Sequence, residues 1–167
     1  MLEFWRYNIN MIKNKIWKFF WVVFAVVGVG VGYWLMAPLF IDKKISETME
    51  DIEAMTPVDS EQAVISQGNF KDADNFHKGE GAVKLIKSGN KYFVRFENDF
   101  KVTNGPDLFV YFGRDGKYSS EARVGALKGN IGGQNYEVPE DINPNDYNEV
   151  WVWCRAFSVP FSSAVLK

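Results

Sequence analysis

Residues 81–97, GAVKLIKSGNKYFVRFE, decide the fold. Two short runs in which apolar and polar residues alternate flank Ser88-Gly89-Asn90, and such a break between alternating runs is a hairpin signal. Comparable runs lie on both sides: AVISQGNF (63–70) before it, then FKVTN (100–104), DLFVYFG (107–113), ARVGALKG (122–129), NYEV (135–138), EVWVWCRAFSV (149–159) and SAVLK (163–167). Gly, Asn, Asp and Pro divide them, and no stretch after residue 63 has the length and 3.6-residue period of a helix. The spacing predicts an all-β domain over 63–167, a β-sandwich first and a barrel second.

The chain before this domain reads differently. Residues 19–41, FFWVVFAVVGVGVGYWLMAPLFI, carry no charge. As a helix rising 1.5 Å per residue, the part ending at Phe40 is about 33 Å long, enough for a hydrocarbon core of about 30 Å. Trp17 and Trp21 near one end, and Tyr33 and Trp34 toward the other, suit the headgroup boundaries. Arg6, Lys13, Lys15 and Lys18 precede the run and favour a cytoplasmic N-terminus (1–18) with the C-terminal domain extracytoplasmic, although Lys43 and Lys44 weaken the asymmetry. A cleavable signal peptide has a shorter apolar region and a small-x-small exit, so an uncleaved anchor in the lipid bilayer is the expectation. Gly28 and Gly32 have the spacing that lets two membrane helices approach, which would make a homodimer.

Between anchor and domain, residues 42–62 place Ile45, Met49, Ile52 and Met55 at helical spacing within a charged segment. This predicts a short helical stalk ending before Pro57. Hydrophobic residues make up 47% of the chain and aromatic residues 16%, which agrees with a lipid-facing segment on a small domain. The formal charge of -2 leaves no basic field for nucleic acid.

Two residues stand out chemically. Cys154 is the single cysteine and His77 the single histidine. One cysteine excludes an intrachain dithiol and a four-cysteine cluster; no Cys-x-x-Cys-His is present for covalent haem, and one histidine is too few for blue copper. A thiol cycling through sulfenic acid, a mixed disulfide, or a non-covalent haem with Cys154, His77 or a Met as axial ligand remains. If 150–159 is one strand, Val150, Val152, Cys154 and Ala156 share a face, and Trp151, Trp153, Arg155 and Phe157 share the other. Arg155 then points away from the sulfur and does not activate it. Whether the cysteine face or the tryptophan face meets the core is open.

Asn104-Gly105-Pro106-Asp107 forms a tight turn signal, with Asp107 suited to stabilise the turn. Asp141, Asn143, Asn145 and Asp146 offer oxygen donors, but Asp146 and Val152 stand where a calcium-binding EF-hand loop needs Gly and Glu. No hydrolase elbow, zinc-protease motif or phosphate loop is present.

Taken in order, GNFKDADNFHKGEGAVKL, FKVTNGPDLFVYF, VGALKGNIGGQNYEVP and VWVWCRAFSVPFSSAVL resemble the electron-transfer domain called DM-thirteen, over about Val64 to Lys167. The resemblance implies a β-sandwich-like module. Its characteristic cysteine, Cys154 here, would take part in redox chemistry as a bare thiol or through a bound group such as haem. His77 would be a second candidate ligand, with Trp153 and Asp107 in supporting positions. The reading is therefore a membrane-anchored extracytoplasmic redox module with an unidentified redox partner. Its alternative is a non-catalytic cell-surface binding or adhesion module in which Cys154 is structural.

Overall fold

The computed structural model describes residues 2–37, 40–57 and 60–167. Pro38 and Leu39 of the apolar run, Val58 and Asp59 of the stalk, and the Trp34 side chain lie outside the described residues. Residues 1–38 and 39–167 form two compact units, each described by itself.

The first unit is helix α1 (Leu2–Met36). Its stretch Lys15–Tyr33 is 19 residues long with a mean hydropathy of 1.8, long and apolar enough to cross a membrane. The helix starts well before the apolar run and stops short of Ile41, ahead of Pro38, a residue type that terminates helices.

Among the described residues, the second unit contains a short helix, α2 (Met49–Ala54), and ten strands. In chain order these are β1 (Gln62–Asp72), β2 (Gly79–Glu80), β3 (Ala82–Ser88), β4 (Lys91–Phe96), β5 (Lys101–Val102), β6 (Leu108–Arg114), β7 (Lys117–Ala126), β8 (Gln134–Glu137), β9 (Glu149–Cys154) and β10 (Val159–Val165). Eight of them make one antiparallel sheet in the order β7-β6-β9-β10-β1-β3-β4-β8, while β2 and β5 pair separately. The long β1 makes the sheet curl. Its first part, Gln62 to Asn69, pairs with β3, its last, Phe70 to Asp72, pairs with β10, and the register shifts between Val64 and Ser66. The fold is all-β after a helix, as the sequence predicts, and the two layers expected of a sandwich are the halves of one curled sheet, a half-barrel.

The concave side holds a single core. Phe70, Phe96, Phe100 and Tyr136 meet there with ring centroids 4.5 to 5.2 Å apart, beside Val83, Val94, Val110, Val150, Val152 and Cys154. The hairpin that decides the fold closes through Gly89 and Asn90, with Ser88 opposite Lys91 and Gly89 at φ 60°. Two boundaries differ from the sequence reading. Asp115 and Gly116, at φ 55° and 74°, make a two-residue turn, so β7 begins at Lys117 rather than at Ala122. The run 149–159 is not one strand, because β9 ends at Cys154 and Arg155 to Ser158 turn the chain into β10.

The segment read as a stalk lies on the domain. Ile45 N–H donates to the Ile131 carbonyl (2.9 Å) and Glu47 N–H to that of Gly133 (3.0 Å). The Glu47 carboxylate meets Lys128 Nζ (2.8 Å) and accepts from Asn135 N–H (2.7 Å). Then α2, capped by Thr48 N–H on Asp51 (2.7 Å), sets the fully buried Ile52 against Ile86 and Phe93 on the outer side of β3 and β4. One side chain of this size buried from water contributes about 1.5–3 kcal/mol. Of the apolar stripe predicted for the stalk, Ile52 and Met49 face protein, Ile45 precedes the helix, and Met55 at its end is exposed.

Candidate functional site

The turn Asn104 to Asp107 joins β5 to β6 and organises the surrounding residues. A Cβ on Gly105 would lie 2.5 Å from Phe161 Cζ, so only glycine lets the backbone rest on that ring. The Pro106 carbonyl accepts a hydrogen bond from Cys154 Sγ at 3.1 Å. Asp107, at φ 59°, holds the Arg155 guanidinium with both carboxylate oxygens (2.9 and 3.1 Å) and accepts from Arg155 N–H through its carbonyl (3.1 Å). Asp107 thus clamps the β9–β10 turn to the β5–β6 turn, a role wider than the single turn expected of it.

Cys154 has no exposed surface. Val150 and Val152 share its inward face, as the strand alternation predicts, while Ala156 leaves that face by entering the turn, where it is exposed. The core therefore takes the cysteine face. The tryptophans lie half-buried on the outer side, where Trp153 stacks on Tyr118 with centroids 3.9 Å apart and Trp151 Nε1 donates to Glu149 (2.8 Å). Arg155 is exposed and its cation lies over Phe109, 4.6 Å from the ring centre.

His77 sits in the loop between β1 and β2. Asp74 accepts from the backbone N–H groups of Phe76 and His77 at 2.7 Å each, and its other oxygen lies 2.7 Å from His77 Nδ1. These bonds, the His77 side chain first, hold the Asp74 carboxyl well below its usual range, at about 2. A carboxylate fixed on Nδ1 sets the neutral imidazole with its proton there and leaves Nε2 as the acceptor. The ring rests on Phe161, centroids 4.3 Å apart. Asp74 was not singled out by its sequence, yet Asp-x-x-His in a loop is the spacing that permits this pairing.

Between the loops lies a hollow of about 400 Å³ lined by Phe76, His77, Asn104, Pro106, Phe157 and Phe161, among others. Cys154 is outside the lining but directly behind it, since Pro106 and its cross-strand partner Val159 both form the wall. The structure thus brings His77 and the 104–106 turn to one cavity, with Cys154 on the core side of its wall, while Trp153 lies on the outer face of the sheet.

Residues 69–166 match the family model described as Electron transfer DM13. The chain belongs to the DM13 family. No curated protein and no solved structure matches it. The DM13 match supports an electron-transfer role in general, and it takes in Asp74, His77, the 104–107 turn and Cys154. The segment 42–57 that docks on the domain lies before it.

The residues present can be tested against haem, a group the DM13 resemblance raises. Cys154 Sγ is enclosed and engaged with Pro106, so it faces no space for an iron. His77 Nε2 could face one, but the lining has no lysine or arginine for the two propionates, and about 400 Å³ is near the small end for ligand pockets. The site does not fit a haem.

Proposed function

We propose that the chain is a membrane-anchored extracytoplasmic electron-transfer module, with its N-terminus cytoplasmic and its redox-active group seated non-covalently in the hollow beside His77. The observation that carries this reading is the Asp74–His77 pair, held at 2.7 Å on the wall of an apolar aromatic hollow inside the DM13 match. Asp74 fixes the imidazole, Phe161 supports its face, and the surrounding rings offer an occupant an apolar surface. Cys154 supports the wall from the core and is shielded from bulk oxidants.

The anchoring part of the proposal rests on the apolar stretch of α1 and on the basic residues before it. A second reading, a surface binding module with a structural cysteine, is favoured by the complete burial of Cys154. One set of measurements on the full-length protein in detergent separates the two. Reduced and oxidised visible spectra after purification, and after haem addition, test for a bound chromophore. A chromophore or ligand lost in His77→Ala but kept in Cys154→Ser supports the hollow. Binding lost only in Cys154→Ser returns the role to the thiol, and no redox-active ligand in any form favours the binding module. Protease shaving of intact cells should remove the C-terminal domain, and full protection would overturn the orientation.

A further inference from the structure

The hollow has the His77 imidazole on its wall, aromatic sides and an apolar mouth. His77 Nε2 makes no hydrogen bond among the described residues, while Nδ1 is committed to Asp74. A ligand that satisfies Nε2 must bring a donor, and the absence of a cation from the lining disfavours an anion. Phe76 and Phe157, which flank the hollow, are 83% and 68% exposed, the two most exposed large apolar side chains described between residues 42 and 167. Such rings left in water mark a surface that is covered in use.

Asp42 adds direction. It is the first charged residue after the apolar run, and its carboxylate accepts from Asn104 Nδ2, a lining residue, and from Asn130 Nδ2, both at 2.8 Å. The 104–106 wall is therefore tied to the residue at which the chain emerges from its apolar run.

We propose that the hollow binds the ring of a membrane-borne hydroquinone, an aromatic diol on a lipid tail, with one ring hydroxyl donating to His77 Nε2. The ring packs among Phe157, Phe161 and Pro106, and the tail leaves past Phe76 and Phe157. This rests on the proposed membrane-anchored electron-transfer reading and names the ligand of its site.

The test is calorimetric titration of the full-length protein in detergent micelles with a decyl-chain hydroquinone, its dimethyl ether, and the tail-less hydroquinone. Saturable binding of the decyl hydroquinone is expected, at least tenfold weaker for the ether, which has no donor. His77→Phe, which keeps a ring on Phe161, should lower affinity for the diol at least tenfold and abolish discrimination against the ether. Asp74→Asn should act in the same direction. Thermal melts of both variants report whether the domain still folds; if His77→Phe does not, the comparison of diol with ether on the unaltered protein decides. Equal binding of diol and ether, or no binding, overturns the hydroquinone site. Tail-less hydroquinone binding as tightly as the decyl form assigns a soluble source and overturns the membrane-borne one. Protection from protease shaving, with diol binding intact in micelles, would instead overturn the anchoring orientation and leave the ring site standing.

Discussion

Cys154 donates its thiol hydrogen to the Pro106 carbonyl, 3.1 Å away, through the wall of the hollow that His77 lines. The sulfur is fully enclosed, so a reagent reaches it only when β9 and the 104–107 turn separate. The native full-length protein should therefore label with a maleimide far more slowly than the unfolded protein. Rapid stoichiometric labelling under native conditions would return the chemistry to the thiol.

Acid should act on the His77 loop through Asp74. A carboxyl whose folded pKa lies below its ordinary value of 3.8 stabilises the fold at pH values above that value, and the contribution is lost as pH falls toward about 2. Chemical shifts of the loop amides should report protonation in that window, with the Phe76 and His77 N–H signals moving together. Asp74→Asn should remove the transition. An Asp74 that titrates near its ordinary value would sink the account of its two backbone bonds.

Gly105→Ala should cost about 1–3 kcal/mol, the usual penalty for forcing extra volume into a packed site. The new methyl displaces Phe161, on which His77 rests, so denaturant unfolding and ligand binding should both change. An unchanged midpoint would mean that the turn does not hold the ring as described.

Ile52→Ala should destabilise the domain by about 2 kcal/mol or more, as expected for a fully buried isoleucine. Removing residues before 60 should do at least as much. A domain starting at residue 60 that melts at the same temperature as one starting at residue 42 would make the docked segment dispensable.

Much of this fold is legible in local pattern. The hairpin at Gly89 is written in its flanking alternation, and Val150, Val152 and Cys154 share the inward face that period two assigns them. The turn at Asp115-Gly116 was legible in principle from its residue pair, but Arg114 and Lys117 masked the strand on either side. Ala156 was misplaced because no Gly, Pro, Asn or Asp marks the end of β9. Its end is set by the clamp between Arg155 and Asp107, residues far apart in sequence. Docking of the stalk also had a signal, the adjacent apolar pairs Leu85-Ile86 and Phe93-Val94. A strand covered on one side alternates, whereas here Leu85 and Val94 enter the main core while Ile86 and Phe93 receive Ile52. The hollow was not legible, because His77, Asn104 and Phe157 meet only after three loops converge.

The docked segment also sets how the domain bears load. A pull arriving along the chain from the N-terminal side first meets the hydrogen bonds of Asp42 with Asn104 and Asn130, then those of Ile45 with Ile131 and Glu47 with Gly133, then the seat of Ile52, and only afterwards the ladder between β1 and β3. Residues 42–57 can yield as a fuse, lengthening the tether before the ladder between β1 and β3 is loaded.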